Sequence, residues 1–156
     1  MLFLTTQIAV IATGLVAGAF LTFSDFTMRS LAAANSETGT EAMQWINRKV
    51  HGSSFLALLL GMAVVSAMLL AAGLIRGGAS APWLVVGGAI YLTGVFGVTA
   101  IGNVPMNKRL DAMAPGDTET DAYWAVYLRK WTRLNHVRTV SSIVAAGAFL
   151  VATGYL

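Results

Sequence analysis

Four long apolar stretches, residues Leu2–Ser24, Gly52–Ile75, Trp83–Gly102 and Val137–Leu156, leave this chain little choice of fold. Each is about twenty residues long, and a helix of that length rises about 30 Å, the thickness of a bilayer's hydrocarbon core. Together they hold one formal charge, Arg138, at the very start of the last. A soluble reading would need four buried helices with almost no polar face. Only 11% of the residues are charged, against about 25% in a soluble domain. The expected fold class is therefore all-α, an integral membrane four-helix bundle forming one four-span domain over residues 1–156.

The first stretch is read as a retained helix. A cleaved signal peptide needs a basic segment before a short apolar core, and Met1-Leu2-Phe3-Leu4 has no basic residue. Nine of the ten Lys and Arg residues lie in or beside the first and third connections, and Arg76 stands alone in the second. By the positive-inside rule both long connections face the cytoplasm and both termini face outward, as expected for a bacterial inner membrane. The net charge of +3 is thus attributed to topology, and no nucleic-acid partner is expected. The absence of cysteine excludes disulfides and thiolate chemistry. Arg76-Gly-Gly-Ala-Ser-Ala-Pro82 reads as a tight turn joining an antiparallel hairpin. Gly14 and Gly18, and Gly87, Gly88, Gly94 and Gly97, are expected to let helices approach closely.

The polar connections hold the chemistry. From Glu41 the first reads as helix, with Ser36 or Thr40 as its cap and Gln44, Asn47 and His51 on one face. The third opens Asn103-Val-Pro105-Met-Asn107. Its proline predicts that the span unwinds there, ending in polar caps or lining a pocket. The helix that follows carries Tyr123, Tyr127, Trp131 and Asn135 in a four-residue recurrence, with Trp124 beside them. That stripe fits an interfacial aromatic anchor, with Trp131, Asn135 and Arg138 continuing into the fourth span. Arg138 there reads either as a residue snorkelling to phosphates or as part of a site. His51 and His136, the only imidazoles, both stand at the polar edge of a span.

Taken together, Gly18-Ala-Phe20-Leu-Thr-Phe23-Ser24-Asp25-Phe26-x-Met28, Asn47 in Ala-Met-Gln-Trp-Ile-Asn, Asn103-x-Pro105-x-Asn107 and Trp131-x-x-x-Asn135-His136-x-Arg138 resemble the anthrone oxygenase-like family of small membrane proteins. The resemblance implies a four-helix membrane fold and oxidation of an apolar, anthrone-like or otherwise enolisable substrate with O₂. In that chemistry His136 or His51 would be the base. Asn103, Asn107, Asn135 and Arg138 would donate to the developing oxyanion. Trp45 and Trp131 would stack on the ring system, with Asn47 and Asp25 as further substrate contacts. Such an anion reacts with O₂ without a cofactor. The alternative places non-haem iron or copper on His51, His136 and Asp25. The expected partners are the bilayer and an apolar small molecule, with homo-oligomerisation left open. Two rival readings are a small transporter, disfavoured by the lack of an ionisable residue deep in a span, and a structural or assembly protein without catalysis.

Overall fold

A computed structural model describes all 156 residues. Four helices are long and apolar enough to cross a membrane: α1 (Leu2–Ala33), α3 (Ser54–Arg76), α4 (Ala81–Asp111) and α5 (Thr118–Thr153). The chain is an integral membrane protein. A shorter helix, α2 (Ser36–Val50), fills the first connection. The spans pack in a ring, α1 on α5, α5 on α4, α4 on α3 and α3 on α1. Neighbours run antiparallel, the up-down-up-down arrangement of a four-helix bundle.

Local signals set the boundaries. Asn35 caps α2 by accepting from the Thr38 amide at 2.8 Å. This corrects the expected cap: Ser36 is the first helical residue, and Thr40 is buried inside the helix. Ser53 caps α3, accepting from Leu56 N at 3.2 Å. Gly77 and Gly78 turn the α3–α4 hairpin at φ 65° and 82°, a region that side chains with a Cβ seldom enter.

Inside the bundle, small and weakly polar residues face inward: Ala9, Ala12, Thr13, Ser66, Ser142, Ala145 and Ala148 are buried. Bulky Ile8, Ile11, Leu15, Val64, Leu74, Val140 and Leu150 face out. This pattern suits a bilayer, where close helix packing stabilises and apolar side chains meet lipid at no cost. The Gly14/Gly18 pair does not mediate packing as expected, since a Cβ at either would meet nothing within 4 Å. Gly88 does, because a Cβ there would lie 2.6 Å from the Ser66 carbonyl oxygen and 2.7 Å from Leu70 Cβ. Gly88→Ala should therefore force α3 and α4 apart and cost about 1–3 kcal/mol. Gly14→Ala should stay within about 0.5 kcal/mol of the parent. Equal thermal unfolding midpoints for the two variants in detergent would contradict this packing.

The third span does not unwind at Pro105. Val104 keeps helical angles (φ −62°, ψ −45°) and α4 continues to Asp111. The missing amide and the ring's clash with the preceding turn are absorbed by a change of helical register. Tyr91–Gly97 and Thr99–Asn103 are wound as π-helix, as is Phe23–Thr27 in α1. Such wide turns are frequent at functional sites because they shift the local hydrogen-bond pairing.

The helix α5 has 36 residues and is about 54 Å long, well beyond one hydrocarbon core. Its first half packs with α2 and the ends of α1 and α4 into a second core of Met28, Met43, Leu110, Tyr123, Trp124, Tyr127 and Trp131. The aromatic stripe is therefore an internal packing element, not an anchor at the lipid interface. Gln44 reinforces it by donating to the carbonyls of Leu110 and Met113, both at 2.8 Å. At the surface Arg48 pairs with Asp111 at 2.7 Å.

Candidate functional site

Where the apolar core meets this aromatic core, α1, α4 and α5 bring buried polar groups together around Arg138. The Arg138 side chain does not reach toward headgroups. Only 5% of it is exposed, and it turns into the bundle. One terminal nitrogen, Nη2, donates to Asn135 Oδ1 at 2.8 Å, and Nη1 donates to Thr99 Oγ1 at 3.3 Å. Nε has no partner. The guanidinium stacks 4.2 Å from the centroid of Phe20 and 5.1 Å from that of Trp131. A guanidinium has five N–H donors. Two find acceptors here, both neutral oxygens. The only ion pair in the structure is Arg48–Asp111, so the charge of Arg138 has no counter-ion.

Asn135 holds this arginine in place. Fully buried, it donates through Nδ2 to the Phe20 carbonyl and to Ser24 Oγ, both at 2.7 Å, which leaves Oδ1 to accept from Arg138. The wide turn beginning at Phe23 puts the Phe20 carbonyl and the Ser24 hydroxyl together on the face toward α5. Thr139 closes the ring, donating to the Asn135 carbonyl at 2.9 Å and lying 3.4 Å from Ser24 Oγ.

The asparagines around Pro105 take part through α4. Asn103 donates to the Trp131 carbonyl at 3.3 Å, and its Oδ1 is buried without a partner. Asn107 Oδ1 accepts from Tyr127 Oη at 2.7 Å and Trp131 Nε1 at 2.8 Å. That fork fixes the planes of a stacked run in which Trp124 and Tyr127 lie 5.6 Å apart and Tyr127 and Trp131 6.0 Å apart, with Phe23 against Trp131. Asn47 is buried on α2, and its Nδ2 lacks a partner. Arg138 Nε, Asn103 Oδ1 and Asn47 Nδ2 are thus two donors and one acceptor that the protein leaves unused at this end of the bundle.

Four expected residues stand elsewhere. His136 is exposed. Successive helical residues are rotated by 100°, so with Asn135, Arg138 and Thr139 inward, His136 must face out. His51 is exposed because α2 ends at Val50; the imidazole leaves the face that buries Gln44 and Asn47. Asp25 lies on the outer side of its wide turn, and Trp45 is exposed beneath Arg48 and Lys49. The structure brings Asn135 and Arg138 together and leaves His136 on the outside of the same helix. His51, His136 and Asp25 do not converge, and no cluster of three metal-ligating side chains forms. Phe20, Ser24 and Thr99 join the site without having been assigned a role from sequence. Thr99, one helical turn before Asn103, was the available signal.

No curated protein and no solved structure matches the chain. The profile described as anthrone oxygenase matches residues 43–148, well over half of the 156. The matched segment contains Asn47, Asn103, Asn107, Trp131, Asn135 and Arg138, whereas Phe20 and Ser24 precede it. With both asparagine motifs inside the match and a four-span helical fold around them, this chain belongs to the anthrone oxygenase family.

Proposed function

We propose that the protein is a membrane oxygenase that oxidises an apolar, enolisable aromatic of the anthrone type with O₂, and that Arg138 holds the substrate's oxyanion. One observation carries this reading: a guanidinium buried without a counter-ion between two aromatic rings. A buried unpaired charge costs several kcal/mol, and a bound anion offsets that cost. Phe20 and Trp131 suit a flat ring system whose oxygen meets the arginine. The substrate enters from the bilayer, and the polar end faces the cytoplasm, as the distribution of basic residues argues.

The reaction converts a ring CH₂ para or vinylogous to a carbonyl. Loss of one proton gives a delocalised anion with its charge largely on oxygen, where Arg138 donates. The carbanionic carbon passes an electron to O₂, and the radical pair combines to form a C–O bond. Protonation and loss of water leave a second carbonyl. One CH₂ and one O₂ become one C=O and one H₂O. The chain's contribution is to lower the energy of the anion, so the proton passes to water rather than to a buried imidazole.

Turnover of anthrone by purified protein under ¹⁸O₂ tests this. One labelled oxygen is expected in the quinone, at a rate above that of the protein-free solution. No acceleration would sink the reading. His136→Ala and His51→Ala should each cost less than about tenfold, against the 10²–10⁴-fold typical of a lost general base. A loss in that larger range would return the base role to the imidazole.

A further inference from the structure

Beside the bundle, at the level where α5 passes from its polar half into its apolar half, an open groove of about 280 Å³ runs between α1 and α5. Its walls carry Arg29 from α1 and Arg129, Arg133 and His136 from α5, over a floor that includes Met28 and Leu128. Arg129, Arg133 and His136 follow one another at i, i+4 and i+7 and so share one face of the helix. No acidic residue lines the groove. Asp25, one turn before Arg29 on α1, is the nearest acid along that helix and lies outside the lining.

We infer that this groove binds the phosphodiester headgroup of an anionic membrane lipid. Depth is the first argument. His136 directly precedes the apolar stretch that begins at Val137, and Arg129 lies about 10 Å further out along the helix. The headgroup layer is about 5–8 Å thick on each side of a bilayer, so His136 and Arg133 stand at its level and Arg129 reaches back to it from its outer edge. Charge is the second. Three arginines converge with no carboxylate among them, and the planar fork of each matches two phosphate oxygens. The floor is the third. Leu128 and Ala32 offer apolar surface where a lipid's glycerol and first methylenes would lie, and Met28 is buried at the base. His136 stands among these cations, on a surface apart from the buried guanidinium of Arg138. The inference is independent of the proposed oxidation, since it concerns the outer face of α5.

Competition in mixed nanodiscs tests it, with lipids retained by the purified protein counted by native mass spectrometry. Each arginine near an anionic surface raises partitioning roughly fivefold, so three together favour phosphatidylglycerol over phosphatidylcholine by on the order of a hundredfold. The triple variant Arg29→Gln/Arg129→Gln/Arg133→Gln should lose at least tenfold of that preference. The corresponding triple lysine variant should keep most of it, and Arg76→Gln, at the opposite end, should keep all of it. Equal retention of the two lipids by wild-type protein would overturn the inference, and that measurement does not depend on any variant folding. Protection from thermal unfolding by inorganic phosphate equal to that by phosphatidylglycerol would also overturn it, because the groove would then bind a soluble anion. Full lipid preference in the glutamine triple variant would place the lipid elsewhere.

Discussion

Replacing Arg138 with methionine is expected to lower anthrone turnover by roughly 10²–10³-fold, the usual consequence of removing a donor to a developing oxyanion. The variant should remain folded. Arg138 makes only two hydrogen bonds to protein, both to neutral oxygens, and its charge is uncompensated. Replacing a buried charged group with an apolar one of similar length is often neutral or stabilising. Against that stands one lost partner for Asn135 Oδ1, at about 1–3 kcal/mol. The two effects are of similar size, so the unfolding midpoint in detergent should move by only a few degrees. Loss of activity together with a collapse of the midpoint would identify Arg138 as a structural residue. Wild-type turnover in the variant would remove it from the site. The effect should fall on kcat more than on KM, because the neutral substrate gains the charge that Arg138 meets only as the proton leaves.

The depth of each element was legible from hydropathy alone, because the bilayer requires about twenty apolar residues per crossing. Helix rotation was legible where the pattern was dense: Trp131, Asn135 and Arg138 were read on one edge of α5, and that edge is buried. Where the fold departs from its local pattern, the cause is a contact made elsewhere in the chain. Pro105 predicts that the span unwinds, yet a wide turn on its N-terminal side absorbs the ring and carries the helix on. No local composition marks such a turn, since it trades one backbone hydrogen bond for a contact made elsewhere in the fold. Tyr123, Trp124 and Tyr127 have the residue types of an interfacial belt. They are buried because α2 folds back over them, a tertiary event that residue types at the interface do not reveal. Gly14 and Gly18 had the spacing of a packing motif, but the neighbouring helix docks on the adjacent face through Ala9, Ala12 and Val16. The two histidines have the chemistry of a base or a ligand, and both stand exposed, outside the core.

Asn135→Ala should show whether the asparagine acts through Arg138. Its side chain joins two helices, bonding the Phe20 carbonyl and Ser24 Oγ on α1 and positioning Arg138 on its own helix. Truncation leaves those groups partly unpaired in a dry interior, so stability should fall by about 1–3 kcal/mol. Turnover should fall about 10–100-fold, because a guanidinium freed from Oδ1 no longer points at one place between Phe20 and Trp131. A loss from partial unfolding would look similar in the single variant, and the double variant separates the two. If Asn135 serves only to orient Arg138, then Asn135→Ala added to Arg138→Met should cost almost no further turnover, while its stability penalty should persist, smaller by whatever the lost Arg138 contact already accounts for. Residues joined by one hydrogen bond show such non-additivity, and independent residues do not. Losses in turnover that simply multiply would mean that Asn135 contacts the substrate itself, and that the site extends from the arginine toward Ser24 and the wide turn of α1.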